Sequence, residues 1–317
     1  MTYSSGGLIQ ASDYNNFNGS INSVWAGAYG QTGASNVSIG GTVYATQWAA
    51  LNTNVTSTAN HQGTSITSRS NPTTGSIISV LSNLSTDVNS CVANAYNAYA
   101  QGTQFTGWSG SASATSGAGT GTDAWTITFT DTITFTSLQA ARNFFNAGAT
   151  VKIQFSKTST GTNSDTEWNN FVNTVCGTVY LSSTAASKSI NGQTYTGTTK
   201  VGGTGTPTIL ATSTGFAQLN SSPTIIYKQF DSGTAYSSNY VQVTAAWDGS
   251  QNLTLVTTWY DSGDSKGSQI TGGTASSGIT FGTAPSTVVT YYPPETTYLT
   301  NTWGTPSVAS TVSVVNS

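Results

Sequence analysis

The apolar residues change their spacing part-way along the chain, and this change limits the possible folds more than any other feature. Before the stretch 110–121 they recur every three or four residues, as in Tyr14, Phe17 and Ile21, which predicts amphipathic helices. After it they alternate with polar residues, as in 125–129, which predicts half-buried strands. The stretch itself contains Gly, Ser, Ala and Thr, typical of a linker. We therefore expect an α+β protein whose helical N-terminal region precedes antiparallel, sandwich-like β modules with short helices.

The helical region contains a duplicated unit in which a short strand precedes a helix. Six positions match between two segments 34 residues apart, which indicates an internal repeat. We expect Ser12 and Thr46 to cap the two helices, Gly27 to close the first helix, and a third helix over 74–99. The helices are expected to pack on one another or on other subunits. The packing or assembly positions are Ile9, Ala11, Ser12, Tyr14, Phe17 and Ile21 in the first copy, and Val43, Ala45, Thr46, Trp48, Leu51 and Val55 in the second.

Three regions are expected along the chain. Residues 1–102 form the helical repeat and anchoring region, residues 122–200 a β module with two short helices, and residues 204–317 an antiparallel β module with a C-terminal arm. The helices of the middle module are predicted over 137–146 and 165–176, and Asp165 is interpreted as an N-cap. In the last module, Asp248-Gly249 between two alternating segments predicts a β-hairpin.

Charged residues are too scarce for most chemistry. They make up 6% of the 317 residues, against roughly 25% in ordinary domains. His61 is the only histidine, and we interpret it as a helix-end residue facing the negative end of the dipole rather than as a catalytic base. We expect no enzymatic activity, no metal and no cofactor. Cys91 and Cys176 are interpreted as buried thiols rather than as a disulfide.

The composition also bears on partners. Aromatic residues reach 11% of the chain, which indicates an ordered protein because disordered chains are poor in them. The net charge of −3 argues against binding nucleic acid through phosphate neutralisation. We expect no signal peptide and no membrane insertion. Trp247 and Trp259 are candidate glycan contacts, although tryptophans in β segments are more often core residues. The segment 261–264 is interpreted as a turn in preference to a calcium site.

Several segments resemble virion structural proteins of tailed bacteriophages, of the contractile-tailed cyanophage and marine phage type. In the N-terminal region these are residues 8–15, Tyr29-Gly30-Gln31 and His61-Gln62-Gly63. In the middle of the chain they are Phe135-Thr136-Ser137-Leu138, Asn143-Phe144-Phe145-Asn146-Ala147-Gly148, the strand 151–155, and Trp168 before Gly177-Thr178-Val179. One departure is Thr46-Gln47-Trp48, where Ser-Asp followed by Tyr or Trp is more usual.

The resemblance implies a non-enzymatic particle component of the neck, tail, baseplate or a fibre. Such a protein would be made and assembled in the host cytoplasm, in multiple copies, with its N-terminal region as an anchor. Its partners would be other copies of itself and other virion proteins, and host surface glycan in addition. The alternative is a glycan-binding adhesin or receptor-binding tip. A polysaccharide depolymerase is a weaker third reading because paired acids are missing.

Overall fold

The computed structural model of the chain describes residues 11–73, 81–103, 105–111, 124–158, 163–232, 237–262 and 285–316. Helices come first and antiparallel sheets follow, which confirms the α+β class. The two parts are named here the helical unit, residues 11–93, and the β unit, residues 105–316.

The helical unit contains three helices with a core of their own. They are α1 (Ala11–Asn22), α2 (Ala45–Gln62) and α3 (Leu81–Ala93), and α1 runs directly into a π-helical segment, Ser23–Ala28. The helices bury their apolar faces against one another. That core includes Tyr14, Phe17, Ile21, Trp48, Leu51, Val55, Leu84, Val88 and Cys91.

The ends of these helices differ from the sequence predictions. Ser12 lies inside α1 because Ala11 is already helical. Tyr44, not Thr46, is the N-cap of α2, and the Gln47 side-chain oxygen accepts the Tyr44 N–H at 2.8 Å. The expected cap residues were therefore wrong.

Three further sequence predictions for the helical unit also differ from the structure or reach beyond the described residues. Residues 41–44 form no strand, so a strand before the second helix was wrong. The first helix continues past Gly27, and the chain turns at Gly30 with φ +69°. Of the third helix expected over 74–99, residues 74–80 lie outside the described residues, and α3 ends at Ala93.

The β unit contains two mixed-length antiparallel sheets and a small hairpin. The strands are β1 Phe105–Ser111, β2 Trp125–Thr134, β3 Thr150–Ser156, β4 Thr178–Leu181, β5 Lys188–Ile190, β6 Gln193–Tyr195, β7 Thr198–Val201, β8 Ile209–Leu210, β9 Thr224–Phe230, β10 Tyr240–Trp247, β11 Asn252–Asp261, β12 Ser286–Tyr292 and β13 Ser307–Asn316. One sheet has the order β1-β12-β3-β4-β7 and the other β13-β2-β11-β10-β9-β8, while β5 pairs with β6.

Strands that are far apart in sequence pair in both sheets. Strand β2 lies between β11 and β13, and β3 lies between β12 and β4. The expected modules 122–200 and 204–317 therefore share their sheets, and the boundary between them does not separate two domains. The expected C-terminal arm is also wrong in part, because β13 is a strand of the six-stranded sheet.

The inner faces of the two sheets pack on each other. Phe155 of β3 contacts Trp259 of β11 at 6.4 Å and stacks on Tyr227 of β9 at 5.9 Å between ring centroids. The Trp259 indole N–H donates across the sheets to Thr287 Oγ1 at 3.0 Å. Strict alternation of buried and half-buried residues along β2, β10 and β11 produces this single aromatic interior.

Two helices of the β unit lie where the sequence predicted them. Helix α4 (Leu138–Asn146) begins at Ser137, whose hydroxyl accepts the Ala140 N–H. Helix α5 (Asn163–Asn170) runs into a π-helical segment, Phe171–Cys176. Because α5 begins at Asn163, Asp165 lies within its first turn and is not the N-cap. The predicted hairpin at Asp248-Gly249 joins β10 to β11.

A steric prediction follows from two glycines that approach each other. Gly177 (φ +72°) and Gly202 (φ +70°) both have left-handed backbones, but a Cβ on Gly177 would lie 2.4 Å from the Gly202 carbonyl oxygen, whereas a Cβ on Gly202 meets nothing within 4 Å. Gly202→Ala should lower the free energy of unfolding by about 1 kcal/mol. Gly177→Ala adds overpacking and should lower it by about 3 kcal/mol. Denaturant titration of both variants measures the difference, and equal losses would contradict this steric account.

Candidate functional site

Most of the described repeat positions lie in the interior of the helical unit, whereas Ser12 and Thr46 are exposed and Ala45 is half-buried. Both copies place their aromatic and aliphatic residues in one core, where Tyr14 meets Trp48 edge-on at 5.4 Å. Val43 is only partly buried against this core, and Ile9 lies outside the described residues. These side chains hold the helices of one chain together, so a contact with another subunit has to use other residues.

Trp247 and Trp259 cannot contact a glycan in this fold. Both point inward because β10 and β11 alternate, and their exposed fractions are 5% and 0%. Trp247 packs edge-on against Phe216, and Trp259 stacks on Trp168. The expected glycan contacts were wrong, and their role as core residues is confirmed. Trp125 and Trp303 are buried as well.

A loop after α1 connects the helical unit to the β unit. The Gln31 carboxamide forms two bonds with Thr300, donating to its carbonyl at 2.9 Å and accepting its N–H at 2.8 Å. The Tyr29 carbonyl accepts the Thr302 hydroxyl at 2.9 Å. Gly30 lies so close to Asn143 that a Cβ would be 2.1 Å from its side-chain nitrogen. This loop therefore requires glycine at its centre.

His61 provides a second connection between the two units. Its Nε2 bonds the Ala147 carbonyl at 3.0 Å, and its ring meets Tyr29 edge-on at 5.2 Å. Burial lowers the pKa of His61 to about 4, although the Ala147 carbonyl and Glu295 raise it. The imidazole is therefore neutral at pH 7 and donates its Nε2–H. The expected position at a helix end is right, but a charged imidazole facing the helix dipole is not what the fold contains.

Three segments that the sequence analysis singled out meet between the two units. Tyr29-Gly30-Gln31, the end of α2 at His61, and the turn at Ala147-Gly148 contact one another. The side-chain amide of Gln62 donates to the Tyr29 hydroxyl at 2.9 Å. These residues therefore hold the helical unit and the β unit of one chain together. We name this set of contacts the junction.

Strand β13 lies at the edge of the six-stranded sheet. In the part of the chain that the structure describes, β2 is its only hydrogen-bonded neighbour, and strand β1 of the five-stranded sheet also lies close to it. Its ten residues, SVASTVSVVN, include neither a charge nor a proline. Val315 is 61% exposed. Proteins commonly protect exposed edges with charges, prolines or bulges, so this strand has the chemistry of an edge that can pair with another strand.

A buried carboxyl group attaches β13 to its neighbour. Asp131 of β2 is fully buried, and the Ser310 hydroxyl of β13 donates to its Oδ1 at 2.5 Å. Its Oδ2 has no hydrogen-bond partner among the described residues. Burial raises the pKa of Asp131 to about 6, against the opposing effect of the Ser310 bond. The protonated form suits this interior better than the carboxylate.

The sequence analysis missed a hairpin that borders the outer face of the five-stranded sheet. Strands β5 and β6 are joined by Asn191-Gly192, with φ +51° and +75°. Positive φ at both central residues is the geometry of a type I′ turn, for which Asn-Gly is the strongest short signal. That dipeptide could have identified the hairpin. Beneath it lies a cleft that is bounded by tyrosines and carboxamides.

The remaining candidates are structural or stay untested. Cys91 and Cys176 are free and buried, as expected. Asp261 is buried at the end of strand β11 and accepts the Trp168 indole N–H at 2.9 Å. The turn predicted over 261–264 stays untested, because residues 263 and 264 lie outside the described residues. Within the described ranges, no three His, Cys, Asp or Glu side chains are grouped as metal ligands. None of the helices there is long and apolar enough to span a bilayer.

Comparisons of the chain with models of protein families, with curated proteins and with solved structures find no match. The functional argument therefore starts from the junction, the edge strand and the cleft.

Asp131 generates a testable pH dependence. Its pKa of about 6 in the folded protein exceeds the ordinary aspartate pKa of 3.8, so the stability that protonation contributes is complete below pH 3.8 and is lost as the pH rises through 6. Asp131→Asn keeps an acceptor for Ser310 but does not ionise. At pH 7 the variant should be more stable than the wild type by about 3 kcal/mol, and the difference should vanish near pH 3.5. Denaturant unfolding of both proteins between pH 3.5 and 7 measures it. A difference that does not vary with pH would contradict this role of the carboxyl group.

Proposed function

We propose that the chain is a non-enzymatic structural protein of a tailed-phage particle, present in multiple copies in the neck, tail, baseplate or a fibre. The observation that carries the proposal is the uncharged, proline-free edge strand β13. The sequence resemblance supplies the kind of particle. A scarcity of charge supports the same function, because surfaces covered by neighbouring subunits avoid the cost of desolvating ions.

The partner proposed for β13 is the same strand of a second copy. Two such strands can pair antiparallel without bringing like charges together, since neither carries one. Backbone N–H and C=O groups on the edge of β13 that faces away from β2 would supply the hydrogen bonds, as in β-strand addition. This arrangement would extend the six-stranded sheet across the two copies.

The helical unit is proposed to provide the anchor to other virion proteins. Its loop between α1 and α2 exposes two large apolar side chains: Ile39 is 99% exposed and Tyr44 is 64% exposed. The repeat residues are occupied by internal packing, whereas this loop is free to make contacts. We therefore assign the anchoring contact to residues 38–44 instead of to the repeat.

The edge-strand contact can be tested with charges. Ser313→Lys together with Val315→Lys places two like charges on the exposed face of β13, which should weaken self-association at least tenfold by repulsion and by loss of the apolar contact. Sedimentation equilibrium of the full chain measures the association. Thr56→Lys with Thr86→Lys adds the same charge to exposed positions of α2 and α3 and should leave association unchanged. A wild-type chain that stays monomeric at all concentrations would refute the role of β13.

Whether the chain is part of a phage particle can be tested by looking for it in purified particles. A tagged chain expressed during phage infection should be recovered with purified particles and be located by electron microscopy. Ile39→Ser with Tyr44→Ser should reduce incorporation several-fold without lowering the melting temperature, because both side chains are exposed. Tyr99→Ser, at a tyrosine that is 73% exposed outside that loop, is the control. Absence of the wild-type chain from particles would sink the proposed function.

A further inference from the structure

A cleft of about 240 Å³ opens between the outer face of the five-stranded sheet and the β5–β6 hairpin. Its lining consists of three tyrosines, three carboxamide side chains and one valine. These are Tyr180, Tyr195, Tyr292, Gln101, Asn191, Gln193 and Val201. None of the seven carries a charge at pH 7, and all lie outside the junction and the edge strand.

The three tyrosines come from different strands and converge on the cleft. Tyr180 of β4 and Tyr195 of β6 meet edge-on, with ring centroids 5.4 Å apart. Tyr292, at the end of β12, completes the group. Burial, together with the nearby Tyr180 and Tyr292, raises the pKa of Tyr195 to about 12. Three phenol groups are thus concentrated in one small volume.

The hairpin that covers the cleft is held rigidly. Ala98 donates its N–H to the Ser189 carbonyl at 3.1 Å, and its own carbonyl accepts the Asn191 N–H at 2.8 Å. Ile190 and Tyr195 are buried with Ala98 in a small apolar cluster. On the other side, the Gln101 amide donates to the Gly148 carbonyl at 2.9 Å. The cleft is therefore formed before any ligand arrives, which lowers the entropic cost of binding.

We infer that this cleft binds a neutral saccharide. Carboxamides can donate and accept at the same time, as a sugar hydroxyl does, so Asn191 and Gln193 match a ring rich in hydroxyl groups. The Gln101 nitrogen already donates to the Gly148 carbonyl and to Thr150 Oγ1, so Gln101 offers its oxygen as an acceptor. Tyrosine rings offer apolar faces for the C–H groups of a sugar, and their hydroxyls offer further hydrogen bonds. The volume lies below the roughly 300–1,000 Å³ of pockets that enclose drug-sized ligands, which favours a single sugar residue.

The absence of charge from the lining argues for a neutral sugar over an acidic one. An acidic sugar would require a cation to compensate for the desolvation of its carboxylate. Two lysines lie near this site but outside the lining. The Nζ of Lys152 is 6.0 Å from the Tyr292 ring centroid, and Lys188, the cross-strand partner of Tyr195, donates its Nζ to Ser183 Oγ at 2.7 Å. The inference does not rest on the proposed assembly function, since the cleft and β13 use different residues.

The test is direct titration of the full chain with methyl glycosides of glucose, galactose, mannose and N-acetylglucosamine. Saturation-transfer NMR and calorimetry should detect at least one of them with a Kd on the order of 1 mM, as expected for a ligand of one ring. Tyr180→Ala and Gln193→Ala should each weaken that binding at least tenfold. Gln193 is exposed, so its truncation keeps the test valid even if Tyr180→Ala does not fold.

Matched controls separate the cleft from the general surface. Tyr99→Ala and Gln251→Ala change an exposed tyrosine and an exposed glutamine outside the lining and should leave binding unchanged. Failure of all four glycosides to bind would overturn the inference, as would binding that survives Gln193→Ala in the folded protein. Tighter binding of methyl glucuronide than of methyl glucoside would overturn the choice of a neutral ligand. None of these results would alter the sedimentation of the β13 variants.

Discussion

His61 joins the helical unit to the β unit as a neutral imidazole, and its Nε2 reaches the Ala147 carbonyl at 3.0 Å. The contact is buried, so the ring cannot take a proton without losing solvation that the surroundings do not replace. The neighbouring Gln31 and Thr300 pair through two bonds, again without ions. The relative position of the two units thus depends on neutral donors and acceptors whose geometry has to fit, because no long-range attraction guides them together.

Contacts between charged side chains are rare in the described parts of the chain. Among the described residues, Arg69 and Asp87 of the helical unit form an ion pair. In the β unit, Asp261 accepts from Trp168 and from Asn239, and Asp131 accepts from Ser310. The hydrogen bonds that these buried acids accept come from neutral donors. Such bonds are directional and short-ranged, so they fix the positions of the strands without adding charged groups to the surface.

Local features of the sequence predicted the elements well. The helical spacing of Phe17 and Ile21, the alternation after Trp125, and the Asp248-Gly249 turn all correspond to observed helices, strands and a hairpin. Burial of Trp247 and Trp259 also follows from strand alternation, because residues of one parity share one face. Those two tryptophans were named as glycan contacts against that rule.

The arrangement of the elements could not be predicted in the same way. Pairing of β2 with β11 and β13 depends on which edges fit in three dimensions, and periodicity within one segment does not encode it. The boundary near residue 200 failed for this reason. The cleft was missed because its tyrosines come from β4, β6 and β12, which no spacing in the sequence connects, although the Asn191-Gly192 turn could have identified one wall.

The order of strands in the six-stranded sheet has a consequence for how the protein is made. Strand β2 (Trp125–Thr134) leaves the ribosome well before its two neighbours, β11 (Asn252–Asp261) and β13 (Ser307–Asn316), so it stays unpaired until a long stretch of the chain has followed it. The helical unit depends on closer contacts and can form early. Strand β13 is translated after every strand it joins, and the free edge of the sheet exists only once β13 has docked. The association of copies that we propose through β13 therefore has to follow the synthesis and docking of this strand.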